Sequence, residues 1–169
     1  MYTYVVSIAQ KQGKAEWTKW YTVYMRIHEL GHVVLYVSNL TASADFYKDT
    51  LGFKEIDRTQ GTALFSSGRT HHELLLIEVG GQKKESEYLT PGLYHIGFKI
   101  GNSDEELRTA YTELQSKGVH IVGMTDHHVT HSLYVLDPDG NELELYIDVD
   151  EIWKKDPQAI MKPPRRLTL

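Results

Sequence analysis

Beyond Gly31 the chain alternates apolar and polar positions: Val33, Leu35 and Val37 share one side of an extended segment and His32 takes the other. The same alternation returns after His95, with Ile96, Phe98 and Ile100 on the apolar side. The stretches 31–39 and 94–102 align over their length, and each predicts a β-strand. A helix is expected after each. In the second copy Leu107, Ala110, Tyr111 and Leu114 form one apolar helical stripe, and Ser103 with Glu106 reads as a capping box. Gly52 and Gly118 stop the two helices. The offset between those glycines also carries Ile77-Glu78-Val79 onto Leu143-Glu144-Leu145. These landmarks predict an α+β fold of two tandem βαβββ modules, about residues 27–80 and 92–149, joined by a Gly/Lys/Glu-rich linker at 80–87. Neither module can bury its sheet face alone, so both are expected in one curved-sheet domain spanning 25–149.

Residues 1–24 fall outside the repeat and read either as an extension before a natural start at Met25-Arg26-Ile27 or as an extra strand. Residues 150–169, with Pro157, Pro163, Pro164 and two arginines, read as an irregular wrap over the surface.

Composition narrows the chemistry. The 169 residues are 41% hydrophobic and contain no cysteine, which excludes disulfides, iron–sulfur clusters and thiolate zinc; any metal must sit on His, Asp or Glu. A formal net charge of -5 argues against nucleic acid as a partner. Gln10, Lys11, Gln12, Lys14 and Glu16 interrupt the N-terminus, and no stretch approaches the ~18 apolar residues of a membrane span. A cytoplasmic protein without membrane contact is the expectation.

On the last strand of the second module Leu143, Leu145 and Ile147 point one way, and Glu142, Glu144, Tyr146 and Asp148 the other. If the apolar set packs on the helices, Glu144 faces the concave side of the sheet, together with His95 and His32. Two imidazoles and one carboxylate suit Fe(II), Mn(II), Zn(II) or Ni(II). His72 shares strand parity with Glu78 and is expected to face the same cavity. His28, His120, His128 and His131 are expected at the surface or in packing roles.

This layout, with His32 and His95 opening the modules and Glu144 near the end, resembles the vicinal oxygen chelate superfamily, which includes glyoxalase I and the extradiol dioxygenases. The second half is most similar to single-domain catechol-type extradiol dioxygenases, through Gly92-Leu93-Tyr94-His95 and the run 126–146. Arg69-Thr70-His71-His72-Glu73 adds to that likeness; the Asp137-Pro138-Asp139-Gly140 portion alone reads only as a hairpin turn. The resemblance implies a divalent metal, Fe(II) first among the candidates, on His32, His95 and Glu144. It further implies acid/base and hydrogen-bonding roles for His72, His127 and Tyr134, a catechol-like substrate with O2, and a possible homodimer. Two alternatives stay open. Glu78 as a fourth ligand would give the His/Glu/His/Glu set of a glyoxalase I-like isomerase using Ni(II) or Zn(II). A non-catalytic small-molecule-binding protein is the other.

Overall fold

The computed structural model describes residues 5–6, 21–22, 27–81 and 91–169. The chain divides into two compact units, residues 1–31 and 32–169. In the first unit β1 (Val5–Val6) pairs antiparallel with β2 (Tyr21–Thr22), so strand structure is present in the segment before the repeat. The rest of residues 1–24, and linker positions 82–87, lie outside the described residues.

The second unit carries the repeat. Its first module runs β3 (Val33–Val37), α1 (Leu40–Asp45), β4 (Lys54–Thr59), β5 (Thr62–Ser66), β6 (Leu74–Glu78). Its second runs β7 (His95–Gly101), α2 (Asp104–Ser116), β8 (Ile121–Asp126), β9 (Thr130–Leu136), β10 (Glu142–Asp148). In each, the first strand lies parallel to the last at one edge: the orders are β3-β6-β5-β4 and β7-β10-β9-β8. Among the described residues β3 pairs only with β6, and β7 only with β10.

Local chemistry sets the helix ends. Asn39 caps α1 through Oδ1, which accepts from Ala42 N, and the helix continues as a π-helical turn, Phe46–Thr50, before Gly52 takes a φ of 76°. The predicted capping box closes α2: Ser103 Oγ accepts from Glu106 N at 3.4 Å, and Glu106 Oε2 accepts from Asn102 N at 2.9 Å.

The apolar faces of the two sheets share one core with the helices. Leu35, Val37, Leu74 and Leu76 come from one sheet and Leu133, Val135, Leu143, Leu145 and Ile147 from the other. Each large apolar side chain in it contributes about 1.5–3 kcal/mol by burial. The Asp137-Pro138-Asp139-Gly140 turn does more than reverse the chain. Tyr47 OH, fully buried, donates to Asp137 Oδ2 at 2.9 Å, while Asp139 accepts from Ser38 N at 3.0 Å and Ser43 Oγ at 3.2 Å. Burial, then the negative Asp137, push the Tyr47 phenol far above its ordinary range, so it serves as a donor throughout. The turn is therefore a polar latch between the modules.

The tail departs from the expected irregular wrap. After two 3-10 turns, Ile152–Lys154 and Pro157–Met161, β11 (Arg165–Arg166) adds a fifth strand antiparallel to β8. Its partners explain why: Arg165 Nη2 donates to Asp126 Oδ2 at 2.7 Å, the His128 ring meets Pro163 O at 2.8 Å, and Leu167 is buried. Among the described residues no helix is long and apolar enough to cross a membrane.

Candidate metal centre

Register decides which polar side chains share a face. Glu142 lies beside His95 and Glu144 beside Gly97, with Leu143 and Leu145 turned to the core. His95, Gly97, Glu142 and Glu144 therefore line the concave side. A Cβ at Gly97 would sit 3.5 Å from Glu144 Oε2, an ordinary van der Waals contact.

His95 Nε2 stands 3.2 Å from Glu144 Oε2. Two donors each about 2.0–2.2 Å from one metal are spaced about 3.0–3.5 Å apart, so this pair fits a shared ion. The second Glu144 oxygen is fixed from behind. Oε1 accepts from Ser132 Oγ at 2.7 Å and from Tyr134 OH at 3.1 Å, and the His127 Nε2 atom lies 2.9 Å from Tyr134 OH. With the phenol donating to Glu144, His127 is the donor to Tyr134, which assigns it the Nε2–H tautomer. Burial first, and then Glu144, raise the Tyr134 pKa well above the ordinary phenol range, so the relay keeps its proton. His127 sits in the β8–β9 turn, where His128 takes a left-handed φ of 70° and its N–H bonds Asp126 Oδ1 at 2.6 Å.

His95 Nδ1 and Glu142 Oε1 are buried and make no hydrogen bond, yet lie 3.6 Å apart. A ligating histidine donates its other ring N–H to a carboxylate, a backbone carbonyl or a water, and Glu142 is a carboxylate beside this nitrogen. Donor spacing and the two orphaned atoms fit a divalent metal on His95 and Glu144.

His32 lies elsewhere. It precedes β3 on the other sheet, its ring 4.5 Å from His72 and 6.3 Å from His71. The His71 and His72 Nδ1 atoms are 2.6 Å apart. Loss of solvent, then the neighbouring His32 and His71, hold the His72 imidazole below its ordinary range. Among the described residues no three His, Asp or Glu side chains of one chain are grouped as a metal ion requires. The structure thus joins His95, Glu144, Tyr134 and His127 in one cluster and His32 with His72 in another.

Glu78 does not occupy the expected place. It pairs with Val37, on the core side with Leu74 and Leu76, and its Oε1 accepts from Leu40 N at 3.0 Å, completing the N-terminus of α1. The position level with Glu144 is Leu75, which pairs with Val34 as Glu144 does with Gly97. Equal spacing from helix-stopping glycine to glutamate hid a three-residue difference: the position level with Glu144 lies 23 residues after Gly52, against 26 from Gly118 to Glu144. The second module has the longer turn between its second and third strands, and the first has the longer loop before its last strand. His131 proves to be a packing residue, bonding Asp104 Oδ1 at 2.6 Å across α2 and β9. Glu142 and Ser132 were not singled out from sequence; strand parity with Glu144 was the signal available for Glu142.

Comparison with known proteins completes the picture. A model of the Glyoxalase/Bleomycin resistance protein/Dioxygenase superfamily matches residues 29–145. Biphenyl-2,3-diol 1,2-dioxygenase 3 of Rhodococcus globerulus is 34% identical over 120 residues, covering 70% of this chain and 63% of that protein. Catechol-2,3-dioxygenase of Bacillus subtilis (strain 168) is 32% identical over 134 residues, covering 77% of this chain and 46% of the relative. The chain thus spans about half to two-thirds of the length of these relatives. A crystal structure of a glyoxalase/dioxygenase from Nostoc punctiforme superposes with a TM-score of 0.60 at 21% identity, over 76% of this chain and 99% of that one, a likeness of fold.

Proposed function

We propose, from the premise that the chain belongs to the Glyoxalase/Bleomycin resistance protein/Dioxygenase superfamily, that it is an extradiol-type dioxygenase cleaving a catechol-like diol with O2. The observation that carries this reading is Leu75 at the level of Glu144. It leaves His32, His95 and Glu144 as the residues that would hold the metal, without the fourth carboxylate of a His/Glu/His/Glu set.

The metal, Fe(II) in this reading, supplies Lewis acidity and a path for electrons between diol and oxygen. The remaining roles belong to side chains. Ser132 and Tyr134 hold the Glu144 carboxylate, and Glu142 orients the His95 ring. His72, neutral near pH 7 because its pKa is depressed, accepts a proton from the diol. On substrate entry Tyr134 would turn its proton from Glu144 toward an oxygen of the opening ring, with His127 behind it as the donor to the phenol.

The third donor comes from a second copy. β3 and β7 are edge strands, and the modules of one chain are fixed to each other by the shared core and the Tyr47–Asp137 latch. A twofold pair sets β3 of one copy beside β7 of the other, covering both edges and building two identical sites.

The test is anaerobic loading with Fe(II), followed by a panel of catechols at an oxygen electrode. The expected result is one O2 consumed per catechol, with a coloured, conjugated semialdehyde acid as product. Absence of oxygen uptake with every catechol, together with isomerisation of a glutathione hemithioacetal by the nickel form, would refute the assignment.

A further inference from the structure

Beside Glu144 a cleft of about 280 Å³ opens on the concave face of the five-stranded sheet. Thr130, Glu144, Tyr146 and Asp148 come from β9 and β10, Val129 from the turn before β9, and Trp153 and Ile160 from the tail. The family match ends at residue 145, so these last two side chains lie outside the matched residues.

The tail is held at both ends. At its start Val149 N donates to Val129 O at 2.9 Å; at its finish β11 is stitched to β8 and Leu167 is buried. Between them Ala159 is buried, while Asp156 Oδ1 accepts from Gln158 N and caps the second 3-10 turn. The segment is thus a strap lying over the concave face. Trp153 and Ile160 nevertheless keep 38% and 55% of their surface, facing the cleft rather than entering the core. Lys154 Nζ, 5.6 Å from the centre of the Trp153 ring, adds a cation–π contact that restrains the indole.

An apolar wall facing a carboxylate suits a flat ligand with a polar end. We propose that Trp153 and Ile160 form a ring-binding subsite that selects the substrate, seating an aromatic ring with its hydroxyl-bearing edge toward Glu144. This inference rests on the diol-cleaving reading for its substrate class. Small-molecule sites run from about 300 to 1,000 Å³, and this cleft lies just below that range, a size suited to one ring with a small substituent. Single-ring catechols are therefore preferred over phenyl-substituted ones, and the tail residues set that limit.

The experiment compares the full chain with Trp153→Ala, Trp153→Phe and Ile160→Ala by two readouts. One is kcat and KM for catechol, 4-methylcatechol and 3-phenylcatechol; the other is calorimetric titration of 4-methylphenol, which cannot chelate, into metal-free protein. Trp153→Ala should raise KM for 4-methylcatechol and weaken 4-methylphenol binding, each by about tenfold, with kcat within about twofold of wild type. Trp153→Phe should recover most of both, and Ile160→Ala should narrow the preference against 3-phenylcatechol. Oxygen uptake with unaltered KM and unaltered 4-methylphenol binding in Trp153→Ala would overturn the subsite while leaving the reaction standing. No oxygen uptake on any catechol, with 4-methylphenol binding that still depends on Trp153, would keep the subsite and remove the reaction. No 4-methylphenol binding and no activity would remove both.

Discussion

Tyr47→Phe removes one hydrogen bond from the latch between the modules and little else. The ring is fully buried, packed edge-on against Phe46 at 5.5 Å and Phe53 at 6.4 Å and tilted against Phe65 at 6.5 Å, contacts that phenylalanine retains. What disappears is the 2.9 Å bond from the phenol to Asp137 Oδ2. A hydrogen bond to a charged group contributes about 1.5–3 kcal/mol. Asp137 would not be left bare, because Asp139 N at 3.0 Å, Asn141 N at 2.7 Å and Asn141 Nδ2 at 2.8 Å still donate to it. The loss should therefore fall near the lower end, about 1.5–2 kcal/mol. At about 2–4 °C per kcal/mol for a chain of this size, Tm should drop by roughly 3–8 °C. Thermal and urea unfolding followed by far-UV circular dichroism would measure it. Combining Tyr47→Phe with Asp137→Asn in a double-mutant cycle should give a coupling of at least about 1 kcal/mol. A single-variant loss below about 0.5 kcal/mol, or strict additivity in the cycle, would refute the latch.

Four further outcomes are expected. His32→Ala and His95→Ala should each be inactive, but subunit exchange between them should restore about a quarter of wild-type oxygen uptake, since heterodimers carry one intact site; no recovery under verified exchange would exclude a site shared between copies. Glu78→Ala should leave metal stoichiometry unchanged in native mass spectrometry while lowering stability by about 0.5–1 kcal/mol through α1. His72→Ala should retain metal and slow turnover about 10²–10⁴-fold, checked by steady-state kinetics alongside metal analysis. Bonds from Asn102 N and Ser103 hold the Glu106 carboxyl below its ordinary range, so its stabilising effect is full above the unfolded value of about 4.3 and fades as pH falls through the folded one; urea midpoints of Glu106→Gln and wild type should differ at pH 7 and converge in acid.

The one-dimensional pattern determined a great deal. Strand alternation after His32 and His95, the helical stripe of α2, its capping box and the two stopping glycines are local properties, so the repeat and the βαβββ order could be read directly. Likewise the parity of β10 placed Glu144 opposite Leu143 and Leu145 without any knowledge of partners. Register between strands is a different matter, because it depends on turn lengths and on which residues pack across a sheet. Equal counting put Glu78 level with Glu144, whereas the pairing of Val37 with Glu78 turned that carboxylate toward α1 and left Leu75 in its place. The latch at Asp137 and Asp139 looked like turn chemistry because its partners, Tyr47, Ser43 and Ser38, are far off in sequence. The strap was equally illegible: β11 forms only because β8 offers an unpaired edge and Asp126 a partner for Arg165. Sequence alone singled out His32, His72, His95, His127, Tyr134 and Glu144 as the candidates for the chemistry. Tertiary packing decided that His95 and Glu144 stand together, that His32 lies on the opposite sheet, and that Trp153 faces the cleft beside them, because those relations are set by long-range contacts that no local pattern encodes.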